Sequence, residues 1–148
     1  MQETQRPTSP RIVPRSAPGS SDAETQFFYQ IIENALRKPC GDPDVPLGDL
    51  VRQLQWTELD SGQCLYTQGE PGNSMHILVS GRLRVSQRST SGIVPLSTLM
   101  AGECVGEIAL LSEQNRTASV HATRKSLLVE LTRSQFEAFS TRHPELLL

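Results

Sequence analysis

Between Gln55 and Leu131 the chain breaks into short runs of strand-forming residues: WTEL, QCLYTQ, SMHILVS, RLRVSQ, IVPLSTLM, TASVHA and SLLVEL. Gly62, Gly69, Gly72, Gly81, Gly92 and Gly102 fall at or near the corners between them. Parallel strands need crossover links of about a dozen residues or more, usually helical, and nothing of that length separates these runs. The pattern therefore predicts roughly seven or eight short strands in an antiparallel roll or sandwich. A roll would also shorten and protect the sheet edges.

The flanks have a different character. At 148 residues the chain has room for one domain and one modest core. Residues 1–21 are rich in Pro, Ser and Arg without periodicity and read as a disordered tail. Asp22 then offers an N-cap to a helix in which Phe27, Phe28, Ile31, Ile32, Ala35 and Leu36 form one apolar stripe. Pro39, Gly41 and Pro43 are expected to end it, and residues 47–54 form a second short helix, which makes 22–54 an N-terminal helical segment. After the strands of 55–131, Thr132 caps a helix carrying Phe136 and Phe139 on one face. This C-terminal segment, 132–148, breaks off at PELLL where another helix would begin, as in a piece of a larger protein.

Charge and composition exclude several classes of function. The net charge is −2, and the first twenty residues hold Arg6, Arg11 and Arg15 against Glu3, leaving a body that is mildly acidic. Such a surface argues against nucleic acid or an anionic membrane as the main partner. Arg82, Arg84 and Arg88 are expected on a solvated strand face, and no helix-turn-helix follows the strands. No apolar run approaches the roughly eighteen residues needed to span a bilayer, and no secretory signal is visible. Cys40, Cys64 and Cys104 form no CxxC pair, and Cys64 and Cys104 read as buried thiols in a reducing compartment. His76, His121 and His143 share no metal-ligand spacing, and no Ser, His and Asp set suggests a nucleophilic enzyme. The protein is expected to be no enzyme, and to use neither metal nor cofactor.

One segment, 102–120, is unlike the rest. Gly106 permits a close approach of the backbone to a ligand, and Glu107 to Leu111 can form one helical turn with free N–H groups at its start. Amides from Arg116 to Ala118 and the Arg116 guanidinium add to a cradle for one phosphate. A carboxylate at Glu107 would repel a phosphate bound alone, but it suits a sugar hydroxyl beside one. Small residues at Ala109 and Ala118 allow close packing of sugar and phosphate, although helix packing alone could also select them.

The runs Gly106-Glu107-Ile108-Ala109-Leu110 and Arg116-Thr117-Ala118-Ser119-Val120 resemble the phosphate-binding cassette of the cyclic-nucleotide-binding domain family, and residues 62–85 are similar to its paired-strand signature. The resemblance implies a mainly β fold: an eight-stranded antiparallel β-roll, jelly-roll-like, over 55–131, with N-terminal helices, a short cassette helix and a C-terminal helix. It implies cAMP or cGMP as ligand, with Arg116 on the phosphate, Glu107 on the ribose 2′-hydroxyl, Thr117 giving a hydroxyl to phosphate or guanine, and backbone near Gly106, Ile108, Ala109 and Ala118 completing the cradle. It also implies an allosteric regulatory domain whose flanking helices move with the ligand and whose effector lies in the same or a partner chain. The LTRSQFEAF and VSGRLRV stretches resemble regulatory domains placed ahead of patatin-like phospholipases, and also those appended to anion transporters. That context points to the cytoplasm or the cytoplasmic face of a membrane. The competing expectation is a degenerate roll that has lost its ligand and serves as a protein-interaction scaffold.

Overall fold

The computed structural model describes residues 10–12, 22–40, 46–112 and 114–144. In chain order these form β1 (Arg11–Ile12), α1 (Asp22–Cys40), α2 (Gly48–Gln53), β2 (Gln55–Leu59), β3 (Cys64–Tyr66), β4 (Ser74–Ser89), β5 (Gly92–Leu99), β6 (Cys104–Val105), α3 (Ile108–Leu111), β7 (Ser119–Thr132) and α4 (Arg133–Arg142). The expected disordered tail and the chain's last four residues lie mostly outside the described residues. Within that tail, Arg11 and Ile12 pair with Glu58 and Thr57 of β2, and Arg11 Nη2 lies 3.1 Å from Asp60 Oδ2.

The sheet differs from the closed, eight-stranded roll expected from the sequence. Among the described residues it has seven antiparallel strands on an open path β1-β2-β7-β4-β5, with β3 added to β7 and β6 to β4, and four helices there make the fold mixed α/β instead of mainly β. The reason lies in two strands that the sequence reading divided. SMHILVS and RLRVSQ join through Gly81 into the 16-residue β4, and TASVHA and SLLVEL join into the 14-residue β7. Gly81, at φ +109°, bends β4 without ending it, and the β4–β7 register shifts between Leu78 and Leu83 take up the bend. Each long strand then takes different partners along its two halves. β7 pairs with β3 at its start and with β2 at its end. β4 pairs with β6 at its start and with β5 at its end.

The alternation of side chains along β4 and β7 buries both faces of this pair. Met75, Ile77, Val79, Val129 and Leu131 pack with Trp56 and with Phe28, Ile32, Leu36, Leu50 and Phe139 of the helices. Leu78 and Leu128 point the other way and join Leu59, Leu65, Leu83, Leu99, Val120 and Ala122. Burying one such large apolar side chain contributes about 1.5–3 kcal/mol, so the two clusters fix the register of the sheet. The α1 stripe divides: Phe28, Ile32, Ala35 and Leu36 are buried, while Phe27 is 63 % exposed. The helix runs through Pro39 to Cys40, past the first of the expected stop signals. Thr132 caps α4 as expected. Its hydroxyl accepts from the Gln135 N–H at 3.2 Å, and the Gln135 side chain accepts from the Thr132 N–H at 3.0 Å. Cys64 and Cys104 are half-buried and outside any disulfide among the described residues, where buried thiols were expected.

A side chain at position 81 would be strained at that φ, and its Cβ would lie 2.6 Å from the Lys125 carbonyl oxygen. Gly81→Ala is therefore expected to lower stability by about 2–4 kcal/mol, read as a fall in the urea midpoint with an unchanged slope.

Candidate ligand-binding site

Gly106, at φ +82°, turns the chain from β6 into α3, and residues 114–118 lead back into β7. Between these two limbs and strands β3, β4 and β5 lies a cavity of about 250 Å³. Gly106, Glu107, Ile108 and Ala109 border it from one limb, and Arg116, Thr117 and Ala118 from the other. The structure thus brings together all seven residues singled out in the sequence. Tyr66, Val85 and Leu99 complete the apolar side of the cavity.

Arg116 is the buried charge of the site, only 9 % exposed. Its backbone is held by two bonds to the β3–β4 connection, Arg116 N–H to the Glu70 carbonyl at 2.8 Å and Gly69 N–H to the Arg116 carbonyl at 2.8 Å. Its guanidinium lies over the Tyr66 ring, Cζ 4.1 Å from the centroid. Nη1 donates to the Ser74 carbonyl at 2.8 Å and Nη2 to the Ser74 hydroxyl at 3.2 Å. Two glycines make this placement possible. A Cβ at position 72 would sit 2.6 Å from the Arg116 Cζ, and one at 106 would sit 2.6 Å from Nη1. A ring face, a carbonyl and a hydroxyl thus compensate a cation that would otherwise be costly to bury.

The remaining site residues have distinct surroundings. Glu107 is exposed, precedes α3 in helical conformation and makes no side-chain cap bond. Ala109 and Ala118 are buried, Thr117 is exposed, and Ile108 is 54 % exposed. Of the amides read as a cradle, that of Ala109 donates to the Gly106 carbonyl at 3.1 Å, and that of Arg116 is engaged by Glu70 as above. Burial pushes the Tyr66 hydroxyl up to about 12; the Arg116 charge opposes this and Glu107 adds to it. Tyr66 is therefore a neutral donor at ordinary pH.

Sequence reasoning missed the residues behind Arg116. Tyr66, Ser74 and Glu130 are not among the site residues read from the sequence. These three, with His76 and Thr57, border a second cavity of about 400 Å³ that also touches Arg116. His76 Nε2 lies 3.2 Å from Glu130 Oε2, and the Ser74 hydroxyl is 3.5 Å from the same oxygen. The hydrogen bond from His76 holds the Glu130 carboxyl below its usual range against the opposing effect of burial, and the charges of His76 and Arg116 add to the lowering. The available signal was a lone carboxylate inside the apolar run SLLVEL. Arg84 and Arg88 are exposed as expected, whereas Arg82 is half-buried. Among the described residues no group of three or more His, Cys, Asp or Glu is placed to hold a metal, and no helix is long and apolar enough to cross a membrane.

Residues 56–143 match the family described as cyclic nucleotide-binding domain. A lysophospholipase NTE1 of Mycosarcoma maydis is 34 % identical over 91 residues, covering 62 % of this chain, which spans only 5 % of that relative's length. A cyclic nucleotide-binding domain from Methylobacillus flagellatus shares the fold with a TM-score of 0.72 at 22 % identity, over 82 % of this chain and 70 % of that one. The regulatory domain of Toxoplasma gondii PKA, co-crystallised with cAMP, has a TM-score of 0.69 at 24 % identity, over 81 % of this chain and 46 % of that one.

The lowered Glu130 carboxyl has a consequence for acid stability. Its contribution is fully present above the usual value of 4.5 and is lost as pH falls through its lower folded value. Thermal melts between about pH 3 and pH 6 should therefore show a shallower loss of Tm on acidification in Glu130→Gln than in the parent protein.

Proposed function

Because the chain belongs to the cyclic nucleotide-binding domain family, we propose that it binds cAMP or cGMP in the cavity between α3 and residues 114–118, as an allosteric regulatory domain. The observation that carries this reading is the enclosure of Arg116 at a cavity it shares with Glu107. A cyclic monophosphate bears one negative charge. Two of the five guanidinium donors of Arg116 face Ser74, and the others serve the exocyclic phosphate oxygens as charge-assisted bonds. Glu107, solvated and without a cap bond, accepts from the ribose 2′-hydroxyl. Thr117 offers a hydroxyl at the same mouth. Backbone at Gly106, Ile108 and Ala118 approaches the sugar and phosphate closely, and Val85, Leu99 and Tyr66 supply apolar surface for the rest of the ligand.

A binding domain acts on an effector by coupling, and α4 is tied directly to the cassette. Arg133, its first residue, donates from Nε and Nη2 to the Ala109 carbonyl at 3.1 and 2.6 Å, and from Nη2 to the Ser112 carbonyl at 2.6 Å. Movement of α3 on ligand binding is thereby passed to the start of α4, while α1 packs on the same core through Phe28 and Ile32. The match to a lysophospholipase supports a phospholipase as the effector, carried in the parent chain, with this domain on the cytoplasmic side.

Calorimetry with both nucleotides tests the site. Arg116→Ala should keep the fold and lose about 2–5 kcal/mol of binding, roughly thirty- to several-thousand-fold; unchanged affinity for both ligands overturns the assignment. Glu107→Ala should narrow the preference for ribose over 2′-deoxyribose ligands, and an undiminished preference removes Glu107 from the sugar.

A further inference from the structure

Behind Arg116 a chain of polar contacts leads out of the nucleotide cavity. Arg116 Nη2 donates to the Ser74 hydroxyl at 3.2 Å, that hydroxyl lies 3.5 Å from Glu130 Oε2, and the same oxygen is 3.2 Å from His76 Nε2. Ser74 and His76 are each 5 % exposed. The Tyr66 ring contacts both ends, with its centroid 4.1 Å from the Arg116 Cζ and 6.4 Å from the His76 ring. His76 and Glu130 stand directly opposite one another on β4 and β7.

We infer that His76 and Glu130 set the charge balance at Arg116, so that binding of an anionic nucleotide draws a proton onto His76. This rests on the reading of Arg116 as the phosphate ligand. With His76 neutral, Arg116 and Glu130 cancel. A phosphate monoanion at Arg116 leaves the group with one net negative charge in a poorly solvated place, and a proton on His76 restores neutrality. The nitrogen facing Glu130 carries the hydrogen of the neutral ring, so the added proton goes to Nδ1. That atom is buried and has no hydrogen-bond partner among the described residues. His76 also borders the second cavity.

The groups that face His76 leave this pair as the responsive element. Glu130 comes from β7 and stays ionised, its carboxyl being held below the usual range. Tyr66 comes from β3 and stays neutral. Arg116 is permanently charged. Glu70 shares the second cavity from the β3–β4 connection, Gln55 and Thr57 of β2 are uncharged, and β6 places Val105 opposite His76.

The test is calorimetric titration of the whole chain with cAMP and cGMP between about pH 5.5 and pH 8, in buffers of different ionisation heat. Binding should tighten on the order of three- to tenfold as pH falls, with proton uptake from the buffer. His76→Gln should abolish both effects. Glu130→Gln should flatten the pH profile and, at pH 8, bind about as tightly as the parent at pH 5.5. This gain is one that mere structural damage would not produce, and the partly exposed position keeps the test open should His76→Gln fail to fold. Equal affinity at both pH values in the parent overturns the inference while leaving the nucleotide site standing. So does a pH profile that survives both substitutions, or weaker binding at pH 8 by a folded Glu130→Gln. No binding of either nucleotide at any pH overturns the reading of the site, and this inference with it.

Discussion

The pairing of β4 with β7 is the constraint from which the rest of the molecule follows. These two strands run together along nearly their whole lengths, from Ser74 opposite Thr132 to Ser86 opposite Ser119. Every other strand except β1 is added directly to one of them. Because successive side chains face opposite sides, one face of the pair seats the helices and the other forms the second core. The same alternation puts Ser74 and His76 on the Leu78 side of β4, and Glu130 on the Leu128 side of β7. The polar group behind Arg116 is thus continuous with the second core, and its contacts share the register that holds the fold.

Arg116 shows how the sheet builds a site out of a loop. The loop contributes the guanidinium, but its direction is set by β3 through Tyr66 and by the first residue of β4 through Ser74. Two backbone bonds to residues 69 and 70 fix the chain on which it rides. The cation is held without direct pairing to a carboxylate in these contacts, which leaves its field directed at the cavity. Glu130 acts on it at one remove, through a hydroxyl.

The site was more legible in the sequence than the sheet. Gly106, Glu107 and Arg116 lie within a span of eleven residues, where local spacing carries the chemistry, and the structure places them around one cavity. The strands were found, but their number and closure were misjudged, since Gly81 reads as a corner when it is a bend within β4. A glycine announces positive φ; whether the chain reverses there depends on the partner strand, which local sequence does not contain. The helix caps were readable because a Thr with a Gln three residues later is a local device. The Ser74, His76 and Glu130 contacts were not, because they join positions more than fifty residues apart.

The two glycines against Arg116 make the site contingent on its own history. While the arginine is present, any Cβ at position 72 or 106 collides with it, so selection for the arginine keeps both positions bare. Were a lineage to lose the arginine, that collision would be lifted at both positions. Gly106 would still be held by its φ of +82° and by the Ser74 carbonyl oxygen, 3.2 Å from where a Cβ would sit, but a side chain acquired at position 72 would bar the arginine's return. Such a domain could drift from ligand binder to inert scaffold, but to come back it would have to restore the glycine before the arginine.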